Sequence, residues 1–404
     1  MTDPPVQARP APALQDVRVL ELAHLIAGPT CGMYLADMGA DVIKVESRES
    51  PDASRTVYGI TRAGEGILHL TVNRNKRALC LDLHTPLGRE TFYRVVRTAD
   101  VVLEGYRNGV AEKLGIDYAT LRAMNPRLIY CSVSAFGPEG PWRSKPGLDA
   151  LAQAVGGLMA VTGETDGGPA LVGAPVVDTI GGLLATQGIL TALIARGRTG
   201  EGQRVDASLL DGVLLSHLAR LSVFHETGVP LPRYGSGHPN LVPYQAFRAS
   251  DGWIFLAVWK DATWPPFCEV AGRPELAEDP RFATRADRLA NRKELTALLE
   301  IIVAGRTIGE WMAALEPIDV LCAPVNDYAQ LVRHPAVQAT GMIVEQEHPR
   351  AGRFTTMATA VKLEKTPGTI RTGAPALGEH SREILGEAGL SSAELDVLAA
   401  KGII

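Results

Sequence analysis

The opening strand–helix–strand repeat constrains this chain more than any other feature. Residues 17–22 (VRVLEL) make an apolar run sized for a buried strand. AHLIAGPT then leads into a helix over residues 31–38 that stops at Gly39, and residues 41–45 (DVIKV) make the next strand. A strand, a helix and a second strand in that order place the two strands parallel in one sheet. The alternation continues with strands at 78–81, 101–103 and 128–133, each followed by helix or turn. The expected fold class is therefore α/β, with a Rossmann-like parallel sheet in a large domain. The first turn reads HLIAGPT, not GxGxxG, and contains Pro29, which argues against a nicotinamide dinucleotide with Glu46 on its ribose. A different nucleotide-bearing ligand stays open, because ligands sit outside the carboxyl ends of such strands.

Composition shifts after Gly228. Aromatic β-type runs at 244–248 and 253–258 are joined by a turn, and every tryptophan except Trp142 lies between Trp253 and Trp311. This predicts a smaller α+β domain inserted over residues 230–318. The large α/β domain then occupies 17–229 and resumes at 319–404, after a flexible lead-in at 1–16. Two domains suit a chain of 404 residues. A long polar stretch, 47–70, reads as a surface loop. The donors of NRNKR (residues 73–77) fit a solvated sheet edge more readily than a phosphate site.

A net charge of -5 argues against a nucleic-acid partner. Five cysteines, widely spaced and without a CxxC pair, suit a reducing cytoplasm and give no zinc motif. The nine histidines show no HExxH or other metal spacing, so no metal is expected. No segment reads as reaching membrane length, and the protein is expected to be cytoplasmic, with no membrane partner. Serine hydrolysis has no support, since GxSxG is missing.

The chemistry concentrates in GAPVVDTIGGLLATQGILTALIARGRTGEGQRVDASLL, residues 173–210. Asp178 stands between an apolar approach and a helix in which Gly181, Gly182, Ala185 and Gly188 recur. Helix glycines cost about 1 kcal/mol each against Ala, so something must approach this backbone closely. Asp178 reads equally well as a helix N-cap and as a catalytic carboxylate. Asp149 opens the preceding helix as cap or catalytic partner. GSGHPN, with Gly235, Gly237 and His238, reads as a mobile lid or as an interdomain turn.

LELAHLIAGPTCGMYLADMGADVIKVE, NRNKRALCLDLHTPLGRE, FGPEGPWRSKPGLDALAQAVGGLMAVTG, the Asp178 stretch and LGEHSREILGEAGLS together resemble the class III CoA-transferases, the CaiB/BaiF or formyl-CoA transferase family. The likeness runs in order along nearly the whole chain. It implies a CoA-transferase that moves CoA from an acyl-CoA to a free carboxylic acid, with coenzyme A as substrate and no tightly bound cofactor. It also implies an interlocked homodimer, with which the segments 216–232 and 320–337 are compatible. Asp178 matches the family's nucleophile, which forms a mixed anhydride and then an aspartyl-CoA thioester, with N–H groups at its helix start available to the oxyanion and the glycines admitting the thioester.

The remaining site residues follow from the same resemblance. Ile26 and Ala27 match adenine-side backbone contacts, and Leu81, Asp82, Leu83 and His84 match a second cofactor segment. Tyr106 keeps an aromatic position, while Gly105 replaces an Asn. Lys113 replaces an Arg, keeping charge and losing the fork. Ser47 replaces another Arg, with Arg48 adjacent as its substitute. Asp149 stands where formyl-CoA transferase has a supporting Glu. In the family's racemases a His precedes that position, and here Leu148 stands there. An acyl-CoA racemase and a non-catalytic CoA-binding module remain the alternatives.

Overall fold

The computed structural model describes residues 11–404, so most of the lead-in expected at 1–16 lies outside the described residues. Leu14 N–H donates to Met38 O at 3.0 Å, tying residue 14 to the end of the first helix.

Six strands form the main sheet, and every pairing in it is parallel. They are β1 (Arg18–Leu22), β2 (Asp41–Glu46), β3 (Lys76–Cys80), β4 (Val101–Glu104), β5 (Ile129–Ser134) and β6 (Arg204–Ser208). Their spatial order is 3-2-1-4-5-6. The α/β reading of the sequence holds. The central strands are apolar without strict alternation because both faces are covered. Val19 joins one buried cluster with Leu35, Val101 and Ile189, while its neighbour Leu20 joins another with Phe92, Val102 and Leu385. Strand order reverses between β1 and β4, so the crevice beyond their carboxyl ends is where the topology places a ligand.

Around the sheet lie α1 (Ala27–Asp37), α2 (Pro86–Val96), α3 (Asp149–Val155), α4 (Val176–Thr199) and α5 (Leu209–His217). Thr85 caps α2, with Pro86 at its first position, as the sequence suggests. The glycines of α4 serve packing. A Cβ on Gly182 would stand 2.8 Å from Ala27 O, one on Gly181 would stand 2.7 Å from a Leu209 methyl, and one on Gly188 would stand 2.5 Å from Val205. What approaches this backbone at these positions is α1, α5 and β6. The helix also corrects the reading that no segment reaches membrane length. It runs 24 residues with a mean hydropathy of 1.5 over its most apolar window, enough by length and composition alone to cross a bilayer.

The chain divides into two compact units. The first comprises Met1–Leu158, Val172–Ser222 and Thr340–Ile404, and the second comprises Met159–Leu171 and Val223–Ala339. The second contains a three-stranded sheet in which β8 (Trp253–Ala257) pairs antiparallel with β7 (Tyr244–Arg248) on one side and β9 (Leu321–Pro324) on the other. Trp264, Trp311, Phe247, Phe267 and Phe282 fill its core. This unit runs past the boundary read at 318, because the apolar run that resembles a return to the large domain is instead an edge strand of the small sheet. In the first unit, the hairpin β10 (Ile343–His348) and β11 (Gly352–Met357) precedes the closing helices α6 (Ser381–Glu387) and α7 (Ser392–Ala400).

Two sequence expectations change here. Residues 47–70 are not one loop: they include a 3-10 turn at Ala53–Arg55, a small hairpin (Thr61–Arg62 with Glu65–Gly66) and the start of a helix at Ile67–Val72. NRNKR is not a solvated edge, since Asn73, Arg74, Asn75 and Lys76 are buried. Arg74 pairs with Asp37 at 2.6 Å, and Asn75 Nδ2 donates to the same carboxylate at 2.8 Å. Lys76 pairs with Glu21 at 2.7 Å. Buried charges survive only when each finds its counter-charge, and the apolar surroundings of Glu21 in β1 and Asp37 at the end of α1 gave no hint of these pairs.

Candidate active site

A cavity of about 370 Å³ opens at the carboxyl edge of the main sheet, at the crossover between β1 and β4. Residues 23–28 line it after β1, residues 105–107 after β4 and residues 133–135 after β5; Arg143, residues 145–148, Leu151, Asp178 and Leu209 complete it. The volume is within the range of small-molecule sites.

Asp178 sits in the first turn of α4 but is not its cap. The cap position is Pro175, which has no side chain to offer. The cap comes from α3: Asp149 Oδ2 accepts Val177 N–H at 2.9 Å and Asp178 N–H at 3.1 Å. Gln153, one turn on and fully buried, donates to Asp149 Oδ1 at 2.6 Å and accepts Val172 N–H at 3.1 Å. Asp149 thus supplies the negative charge that a helix start favours, leaving the Asp178 side chain free to line the cavity. Among the described residues no side chain donates a hydrogen bond to that carboxylate. Burial first, and the Asp149 charge second, push its pKa up to about 7. A carboxyl group with a pKa shifted this far in a cavity marks a candidate functional residue.

The N–H groups at the start of α4 are all engaged: Val176 with Ala174 O, Thr179 with Pro175 O, and the two between them with Asp149. The expectation that they serve an oxyanion is therefore corrected. Donors are available at the start of α1. Ile26, Ala27 and Gly28 line the cavity, and among the described residues none of their N–H groups has an acceptor. His24 lines it too; burial, then the nearby Lys44 charge, lower its pKa. Burial and then Glu104 raise the Tyr106 phenol to about 12, so it remains a proton donor.

The structure separates the residues singled out in the sequence into groups. Ile26, Ala27 and Tyr106 share the cavity with Asp178, and Asp149 stands behind it. Leu81, Asp82, Leu83 and His84 follow β3 outside the cavity lining, with Arg48 beside Cys80 at the same strand end. Lys113 is exposed on the short helix Val110–Leu114 and does not line the cavity. Gly235, Gly237 and His238 belong to the second unit. There Gly235 N–H donates to Gly163 O at 3.0 Å, Gly237 N–H to Tyr234 O at 2.8 Å, and His238 N–H to Tyr244 O at 3.0 Å. No group of three or more metal-ligating side chains occurs among the described residues.

Sequence reasoning passed over Arg107, Arg143 and Lys145, which also line the cavity. Asn108 Nδ2 donates to Gly137 O at 3.0 Å and Arg143 O at 2.7 Å, joining their two loops. The Lys145 ammonium lies 3.6 Å over the Trp142 ring. The only signal was the length of that Gly- and Pro-rich loop.

Comparison with known proteins matches residues 14–381 to CoA-transferase family III. A succinate–glutarate CoA-transferase of Agrobacterium fabrum is 37% identical over 395 residues, covering 96% of this chain and 98% of that protein. A succinyl-CoA:mesaconate CoA-transferase of Haloarcula hispanica is 38% identical over 399 residues, covering 94% and 97%. The crystal structure of a CaiB/BaiF family protein from Brucella suis superposes with a TM-score of 0.85 at 36% identity, covering 94% of this chain and all of that one.

The Asp149 charge beside Asp178 gives a direct test. Asp178 is protonated below about pH 7 and anionic above it. Asp149→Asn keeps an oxygen for the two N–H groups and removes the repelling charge, so the Asp178 midpoint falls. Carboxyl titration by carbon-detected NMR checks this; an unmoved midpoint would leave burial as the sole cause.

Proposed function

This chain belongs to CoA-transferase family III and is an enzyme that transfers CoA, and on that premise we propose that it moves CoA from an acyl-CoA thioester to a free carboxylic acid through Asp178. The observation that carries the reading is the Asp178 carboxylate: half-buried, without a hydrogen-bond donor among the described residues, ionising near neutrality and set in the crossover cavity. The relatives named for succinate–glutarate and succinyl-CoA:mesaconate transfer support an exchange between two acids.

In this reading an Asp178 oxygen attacks the thioester carbonyl, the C–S bond breaks, and CoA leaves as a thiolate. The thiolate attacks the Asp178 carbonyl of the resulting anhydride, releasing the donor acid and forming an aspartyl-CoA thioester. The acceptor carboxylate attacks that thioester and expels the thiolate again. The thiolate then attacks the acceptor carbonyl, and Asp178 is restored. No net proton is taken up or released, and each step exchanges one acyl bond for another of similar reactivity. The oxyanion at each tetrahedral stage takes its hydrogen bonds from the Ala27 and Gly28 N–H groups at the start of α1. Ile26, Ala27, Leu81, Asp82, Leu83, His84 and Tyr106 hold CoA, with Arg48 and Lys113 toward its phosphates, and the acyl group reaches Asp178. Gly235, Gly237 and His238 shape acid selection.

Asp178→Asn keeps the size of the side chain and removes the nucleophile. Transfer then falls by on the order of a thousandfold or more, with CoA affinity little changed, and in the wild type kcat/KM rises with pH through about 7 as Asp178 ionises. Transfer at the wild-type rate by Asp178→Asn would rule the mechanism out. An acyl-CoA racemase would instead exchange the α-proton with solvent deuterium when no acceptor acid is present.

The protein acts as a homodimer in the cytoplasm. Leu183 and Ile194 on α4, Leu215 on α5 and Leu218 just after it are exposed, with Leu218 at 74%, and a second copy covers them. The cysteines among the described residues are all free, in keeping with a reducing compartment. Sedimentation without detergent should give a dimer; a stable monomer, or protein that needs detergent to stay dispersed, contradicts this.

A further inference from the structure

The charges buried behind the turn between β1 and α1 take no part in the reaction above, yet they grip that turn at successive points. Lys44 Nζ donates to Ala23 O at 2.9 Å, Leu25 N–H donates to Asp52 Oδ1 at 2.9 Å, and Lys76 Nζ donates to Pro29 O at 2.9 Å. The gripping side chains are tied to one another. Lys44 pairs with Asp52 at 2.6 Å and with Glu21 at 3.1 Å, and Glu21 reaches Lys76 at 2.7 Å, all four being fully buried. Asp52 is fixed in turn: its N–H donates to Glu46 Oε1 at 3.0 Å, and Arg55 forks onto the Glu46 carboxylate at 2.9 and 2.7 Å. Gly32 admits the network to α1, since a Cβ there would stand 1.8 Å from Glu21 Oε2.

Leu25 is where the grip acts. Its φ of +65° is left-handed, a conformation that a residue with a Cβ keeps only when its surroundings impose it. The flanking residues 23–28 line the cavity with Asp178, and Ile26, Ala27 and Gly28 carry its unpaired N–H groups. A buried ion network is no more stabilising than apolar side chains of the same volume. What apolar side chains could not supply is the set of hydrogen bonds to Ala23, Leu25 and Pro29.

We propose that Asp52, backed by Lys44, is a positioning residue of the acyl-CoA site: it holds Leu25 in the left-handed turn and so sets the N–H groups of residues 26–28 along the cavity. The inference rests on reading the cavity as the CoA-transfer site.

Asp52→Ala removes the acceptor. Hydrogen exchange at the Leu25 amide then speeds up by about tenfold or more, the Kd for CoA rises roughly tenfold, and kcat falls as well, because the Ala27 and Gly28 N–H groups that serve the oxyanion move with the turn. Asp52→Asn keeps an acceptor oxygen and recovers most of the affinity. Adding Leu25→Gly to Asp52→Ala also recovers it, because glycine takes the left-handed turn without cost. A folded Asp52→Ala protein with unchanged exchange and CoA affinity overturns the proposal, as does a double variant no better than the single one. Should Asp52→Ala not fold, Leu25→Val and Leu25→Asn pose the same question with the network intact. Both shorten the side chain, but only valine is barred from positive φ. Valine must then lose CoA affinity and asparagine keep it; equal affinities overturn the proposal. Exchange needs no substrate, so a wild-type protein that shows the protected turn and transfers CoA to no acid counts against the transferase reading alone.

Discussion

The Asp149 carboxylate accepts the N–H groups of Val177 and Asp178, and much of the site's chemistry follows from that contact. Pro175 cannot cap α4, so without Asp149 two donors at the start of a 24-residue helix would lack partners. With Asp149 in place, the helix start is satisfied from behind and the Asp178 side chain is left unbonded on the cavity side. The same contact keeps a second negative charge beside Asp178. Together with burial, which is the larger cause, it lifts Asp178 to about 7. One interaction therefore orients the Asp178 carboxylate, frees it and tunes it. Gln153 matters because it holds the remaining Asp149 oxygen.

The sheet explains why the donors lie across from that carboxylate. In the order 3-2-1-4-5-6, the chain leaves β1 for one side and β4 for the other, opening a crevice between their carboxyl ends. The start of α1 borders the crevice after β1, and residues 105–107 border it after β4. Because Asp149 occupies the N–H groups of α4, the positive end of α1 is what remains for a developing negative charge. The two helices can approach because Gly182 leaves room for Ala27 O. The glycines that looked like space for substrate are thus space for packing, Gly182 against α1, Gly181 against α5 and Gly188 against β6.

Much of this was legible in the sequence. Strand–helix alternation gave the parallel sheet, since buried strands write themselves as unbroken apolar runs. The position of Asp178 before a Gly-rich helix marked it as a special carboxylate, and the family likeness pointed to the same residue. Three things were not legible. NRNKR reads as surface because its partners, Glu21 and Asp37, are far off in sequence and sit inside apolar segments. Leu25 carries no mark of its positive φ, since glycine or asparagine would be the expected residue there. The role of Asp149 was half visible: its place suggested a cap, but the helix it caps is α4 and not its own, a fact of tertiary packing alone. The strand Leu321–Pro324 was misplaced for a similar reason, because an apolar run does not say which sheet it joins.

The central claim is that CoA passes through a covalent bond to Asp178. Incubating the protein with succinyl-CoA, quenching in acid and measuring intact mass tests it most directly. The account predicts an adduct of the mass of CoA less one water on the peptide containing Asp178, removed by hydroxylamine and discharged by an added carboxylic acid. An enzyme that turns over while its mass stays unchanged, or an adduct placed on any other residue, would contradict it.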